Sequence, residues 1–163
     1  MLFLASACST SRRGTKADKI SGQETTQQHK PHRHSSSQQK KLVKEAEKWL
    51  GTPYLYGAQE KGKGTDCSGL VMMVYLEALE VKLPRNSAKQ AAFCRKIKEE
   101  EVLVGDLVFF ATGKDPDKVT HVGMMVDDDG TFIHASSSKG VVRSSMKNQW
   151  YRKRFLMYGR VPT

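Results

Sequence analysis

The stretch LVMMVYLEAL, residues 70–79, is apolar on nearly every face of a helix and carries Glu77 as its one charge. It is far short of the roughly 20 apolar residues that span a bilayer. A helix of this kind is stable only when other elements wrap most of its surface, so it has to lie at the centre of a packed core. Thr65 or Asp66 is placed to cap its start, which puts Cys67 in its first turn.

What wraps it follows from a change of period along the chain. Leu42, Val43, Ala46, Trp49 and Leu50 recur at helical intervals until Gly51 and Pro53 stop them, and Ser36 with Gln39 has capping-box spacing. A first helix therefore starts near Ser36. A third, short helix is expected over residues 87–96, after LPRNS. Beyond EEEVLVGD the pattern turns to β-rich runs, LVFFAT, VTHVGMMV, TFIHASS, GVVRSS and FLMYGRV, separated by Gly, Asp and Lys clusters. Helices first and strands after predict an α+β domain, about three helices packed on an antiparallel sheet of five to six strands.

A chain of 163 residues holds one such domain, placed at residues 41–163. Residues 9–40 are mostly Ser, Thr, Gln, Lys, Arg and His; such a segment cannot offset its ordering entropy and reads as a disordered basic tether. His29, His32 and His34 in HKPHRH belong to it and read as linker rather than as metal ligands. The opening MLFLASAC, residues 1–8, resembles the end of a bacterial lipoprotein signal, truncated and without a preceding Lys or Arg, with Cys8 as the lipid-bearing residue. That lipid would be the membrane attachment, because no other run approaches spanning length. The net charge is +10, densest in residues 1–40 with 7 basic against 2 acidic side chains. Such an excess favours anionic polymers or membrane surfaces; without a nucleic-acid motif, no nucleic-acid partner is expected.

Cys8, Cys67 and Cys94 are odd in number and show no CxxC spacing, which argues against a disulfide framework and a structural zinc. Cys94 reads as a small buried residue, with a Cys67 to Cys94 bridge left open. Cys67 is different. A helix N-terminus favours a thiolate, and Gly64 and Gly69 leave the sulfur uncrowded. A base is available in His121 of KVTHVGMMV. If Val126 faces Thr131 across the DDDG loop, paired positions sum to 257 and His134 lies opposite Gly123, a diagonal neighbour of His121 on the same face. A two-residue Asp129-Gly130 turn would shift the sum to 259 and draw the two rings apart. Two histidines on one hairpin could also stack or bind a metal, but Cys67 would bring only a third ligand, so no metal and no cofactor is expected. Nucleophile, base and ring-orienting partner is the favoured combination.

The segments GTPYLYGA, GTDCSGLV, LPRNSAKQ, VGDLVFF, THVGMMV and FIHASSSKGV, in this order over about residues 41–161, resemble the NlpC-type family of bacterial cell-wall cysteine peptidases, papain-like in fold. The resemblance implies Cys67 as nucleophile, His121 as general base and His134 as third polar member. It implies that Tyr54 and the Cys67 N–H hold the oxyanion, that Asp66 and Ser68 receive the amino end of a short stem peptide, and that Arg85, Ser87 and Gln90 belong to the groove wall or to packing. Ala58 stands where glycine is usual. The activity implied is an endopeptidase cutting the γ-D-glutamyl to diamino acid amide of peptidoglycan stem peptides, as a monomer held by its lipid in the cell envelope, at an outer membrane facing the periplasm. An amidase cutting the glycan-to-peptide bond and an inactive wall-binding module are the alternatives.

Overall fold

The computed structural model describes residues 33–162. Cys8, His29, His32, the signal-like segment and most of the expected tether lie outside the described residues. Helix α1 (Ser36–Glu47) is capped by Ser35, whose hydroxyl accepts from the Gln38 N–H while the Gln38 side chain accepts from the Ser35 N–H. The capping box thus sits one residue before the expected Ser36 and Gln39 pair. SSSQQ satisfies the spacing in either frame, and the preceding residue fixes the earlier one: His34 is buried, with Nε2 3.1 Å from the Tyr75 hydroxyl. Residues 36–40 are therefore helical, inside the stretch read as tether.

Helix α2 (Cys67–Leu79) is capped by Asp66 and ends at Glu80, which takes a left-handed φ of 60°. Before it, β1 (Gln59–Glu60) and β2 (Gly64–Thr65) form a small hairpin not evident from periodicity. Helix α3 (Ser87–Phe93), capped by Asn86, stops three residues short of its expected end, because β3 (Arg95–Ile97) leaves it to pair with the last strand. The remaining strands are β4 (Leu107–Phe110), β5 (His121–Met125), β6 (Thr131–Ser136), β7 (Gly140–Ser145) and β8 (Phe155–Arg160), with a one-turn helix α4 (Gln149–Arg152) before β8. They form one six-stranded antiparallel sheet in the order β3-β8-β4-β5-β6-β7, so the fold is the α+β architecture expected.

Alternation along the strands divides the apolar side chains between two faces. Leu107, Phe109, Val122, Met124 and Ile133 pack with Leu70, Val71, Val74 and Tyr75 of α2, and with Leu42, Ala46 and Trp49 from the α1 region. Val108, Phe110, Met125, Phe132 and Tyr158 form a second cluster on the other face. Covering on both faces explains why LVFF is apolar without a break. Arg160 on β8 is buried against Asp106 just before β4, with Nε and Nη2 donating at 2.8 and 2.6 Å.

Candidate active site

Asp66 organises the start of α2. One carboxylate oxygen accepts from the Gly69 N–H at 2.7 Å, the Ser68 hydroxyl at 3.1 Å and Arg85 Nη1 at 2.9 Å; the other accepts from the Gly57 N–H and from Arg85 Nη2, both at 2.8 Å. Burial alone would raise this carboxyl, but Arg85 and the Gly69 and Gly57 amides outweigh it and hold it below the usual carboxylate range. The 57–58 loop lies hard against the helix: a Cβ on Gly69 would stand 2.5 Å from the Ala58 carbonyl oxygen. That carbonyl accepts from the Asp66 N–H and from Arg85 Nη2 at 3.2 Å, so the loop is pinned with alanine at position 58.

Cys67 is the first residue of α2 and only 8% exposed. Burial pushes its thiol up; the backbone N–H groups of Val122, Ser68 and Cys67 itself pull it down without overcoming that cost. The helix start thus supplies the expected amides, but burial outweighs them and the thiol is not acidified. Cys94 is a free thiol, half-buried and pushed up to about 12 by burial, and Cys67 is free as well, so the two are not bridged. The Tyr54 phenol is raised first by burial and then by Cys67 and Asp66, and remains a hydrogen-bond donor at neutral pH.

The β5–β6 hairpin adopts the 257 register, with Met124 opposite Ile133 and Met125 opposite Phe132. His121 Nε2 and His134 Nδ1 lie 2.8 Å apart, the rings edge-on at 88°. Gly123 permits this: a Cβ there would come within 2.6 Å of the Phe132 ring and 3.3 Å of the His134 Cβ. Beyond His134, its Nε2 is 2.9 Å from the Ser144 hydroxyl and 3.1 Å from the Tyr151 hydroxyl. With His121 Nε2 committed to His134, Nδ1 is its second ring nitrogen, the one available to take a thiol proton. That requires N–H on Nε2 of His121, acceptance by His134 Nδ1, and N–H on His134 Nε2 donating to Ser144 or Tyr151. Burial lowers His121 to about 4, and burial followed by His121 lowers His134 to about 3, so both rings are neutral at pH 7.

Ser144 and Tyr151 were not singled out from the sequence. Ser144 could have been, since extending the hairpin arithmetic to β7 pairs His134 with Val142 and puts Ser144 one diagonal along. Tyr151 stands on α4, which is too short to announce itself by period. Tyr54, Cys67, Thr120, His121, His134 and Tyr151 line one cavity of about 160 Å³. Asp66, Ser68, Arg85 and Ser87 line a pocket beside it of about 500 Å³. Gln90 is buried instead, its amide donating to the Ser68 and Pro84 carbonyls at 2.9 Å. Among the described residues, no group of three His, Cys, Asp or Glu side chains stands where it could hold a metal ion. A thiol, a neutral imidazole hydrogen-bonded to a second imidazole, and a phenol donor in one cavity are the groups that acyl transfer needs.

The NlpC/P60 family pattern matches residues 51–160. The probable endopeptidase NlpC of Escherichia coli is 42% identical over 120 residues, which cover 74% of this chain and 76% of that protein. The bifunctional muramidase/DL-endopeptidase CwlT of Bacillus subtilis is 35% identical over 132 residues, 81% of this chain and 39% of that protein. Among solved structures, a Staphylococcus aureus protein described as similar to lipoprotein, of the NLP/P60 family, superposes with a TM-score of 0.73 at 29% identity, covering 83% of this chain and 45% of the other. The chain belongs to the NlpC/P60 family.

Proposed function

We propose that the protein is a peptidoglycan hydrolase, a cysteine endopeptidase that cleaves the γ-D-glutamyl to diamino acid amide of stem peptides through an acyl-enzyme on Cys67. The observation that carries this reading is the placement of Cys67, His121 and His134 around one cavity, with the two imidazoles hydrogen-bonded at 2.8 Å. It is supported by relatives named endopeptidase and DL-endopeptidase.

In this mechanism the Cys67 thiol gives its proton to His121 Nδ1 as the sulfur attacks the amide carbonyl. The resulting oxyanion is held by the Tyr54 hydroxyl and the Cys67 N–H, where fixed donors act on charge that appears only in the transition state. The His121 imidazolium protonates the departing amine, leaving a thioester, and neutral His121 then deprotonates the water that hydrolyses it. His134 stays uncharged and keeps the His121 ring in place. The amino end of the stem peptide enters the pocket beside Asp66 and Ser68. Five donors already address the Asp66 carboxylate, about as many as its lone pairs accept, so an incoming ammonium displaces one of the Arg85 contacts.

Digestion of purified peptidoglycan, read by mass spectrometry, tests this. Fragments newly beginning at the diamino acid are expected from the wild type and none from Cys67→Ala; peptides released whole from glycan would replace the reading with an amidase, and equal release by Cys67→Ala would remove it.

We also infer that Cys8 carries a lipid and tethers the enzyme in the cell envelope, at the periplasmic face of an outer membrane. Support comes from the small residues before Cys8, the polar segment after it, and the likeness to a structure described as similar to lipoprotein. No helix of the described residues is long and apolar enough to cross a membrane. Cys8→Ser is expected to abolish fatty-acid labelling in cells; undiminished labelling would overturn the assignment.

A further inference from the structure

The reactive cavity continues at two ends. At one it shares Tyr54, Cys67 and Thr120 with the pocket of Asp66 and Arg85. At the other it shares Ser136, Ser137, Trp150 and Tyr151 with a groove of about 440 Å³ between the β6–β7 turn and α4. His121 lines the cavity but not the Asp66 pocket. It is absent from the groove as well, so the direction of a bound amide comes from the reading above, in which the amino end of the stem peptide enters beside Asp66 and Ser68. The acyl half lies toward Asp66, and whatever follows the scissile nitrogen runs into the groove beside Trp150.

The groove has a definite chemistry. No carboxylate lines it, whereas Lys139 and Arg143 do. Arg143 is ion-paired with Glu47; Lys139 is exposed and has no ion partner among the described residues. Three consecutive serines, Ser136 to Ser138, line the groove as well. Trp150 lines it too, 47% exposed yet held in place: the Arg154 guanidinium lies 4.1 Å from its ring centroid and donates to its backbone carbonyl, and the Tyr151 ring meets it edge-on. A half-exposed indole, an ammonium with no ion partner among the described residues and three serines lining one groove suit a short peptide segment that carries negative charge.

We infer that this groove is the subsite for the leaving half of the substrate, and that Lys139 selects a leaving residue with free carboxylate over one whose carboxyl is amidated. The direction of the substrate rests on the acyl-transfer reading above; the charge of the groove does not.

The test separates the two by measuring binding without turnover. L-alanyl-γ-D-glutamyl-diaminopimelate, with the diaminopimelate carboxyls either free or amidated, is titrated into the full-length Cys67→Ala protein by calorimetry. The free acid is expected to bind about three- to fivefold tighter than the amide, the range of one partly exposed ion pair. Lys139→Gln is expected to bring the ratio to about one, Lys139→Glu to invert it, and Trp150→Ala to weaken both ligands. Equal affinity for acid and amide, or a preference unchanged in Lys139→Gln, overturns the inference, whatever the wall digestion shows. Conversely, a protein that cuts no peptidoglycan but discriminates acid from amide through Lys139 keeps the subsite and loses the hydrolase.

Discussion

The thiol of Cys67 and the imidazole of His121 shift in opposite directions from their usual values, and both shifts favour the neutral forms. The free enzyme therefore does not store a thiolate. Iodoacetamide should alkylate Cys67 more slowly at pH 7 than an exposed cysteine, with a rate that keeps rising past pH 9; a rate already on a plateau between pH 5 and 8 would show a standing thiolate-imidazolium pair instead. The same burial bears on stability. With folded-state values of about 4 for His121 and about 3 for His134, the unfolded chain binds the extra protons first as pH falls below about 6.5. Each histidine then removes up to about 1.4 kcal/mol of stability per pH unit, down to its own folded value. Urea midpoints should fall from pH 6.5 toward 4, and less steeply in His134→Asn; a flat profile would contradict buried neutral rings. The hydroxyls behind His134 act by position. Tyr151→Phe or Ser144→Ala alone leaves one acceptor, whereas the double variant releases the His134 tautomer and is expected to lower kcat about 10- to 100-fold; a double variant with the wild-type kcat would show that these hydroxyls do not set the tautomer. The helix-start amides at Cys67 were legible in the sequence, but the burial that outweighs them was not, since Val122 on a strand 55 residues away supplies part of the wall.

The hairpin of β5 and β6 is the element on which the site depends; the sequence left its register open between sums of 257 and 259, and the structure takes the first. Its structural reason lies in Asp127, whose carboxylate accepts from the Asp129 and Thr131 amides and so closes the four-residue turn. Gly123 is the point of closest approach. Gly123→Ala should cost about 1–3 kcal/mol by overpacking against Phe132 and should lower kcat as well, by separating β5 from β6; loss of stability with full kcat would show that the histidine contact tolerates such a shift. The first two helices were legible through cap spacing and apolar pattern, and the third through the LPRNS stretch before it. Strand β3 and helix α4 were not. The first is three residues long and owes its existence to β8, some 60 residues on; the second is a single turn, too short for periodicity to register.

At the scale of the molecule, α2 carries Cys67 at one end and meets a structural network further along. Tyr75, two turns along from Cys67, donates to the Gly105 carbonyl at 2.5 Å and meets His34, while Asp106 beside it holds Arg160 of β8. Asp106→Ala strips a buried guanidinium of its partner and should cost about 3–5 kcal/mol, measured by denaturant unfolding; a cost under about 1 kcal/mol would mean that the pair is not buried as described. One helix thus joins a buried network at Tyr75 to the cavity that Cys67 lines with His121 and His134. The account turns on whether that sulfur forms the covalent intermediate, and intact-mass analysis of enzyme quenched during turnover of a stem tetrapeptide asks this directly. The L-alanyl-γ-D-glutamyl mass is expected on Cys67 and not in His121→Ala. An adduct on another residue, or hydrolysis at the wild-type rate by Cys67→Ala, would contradict it.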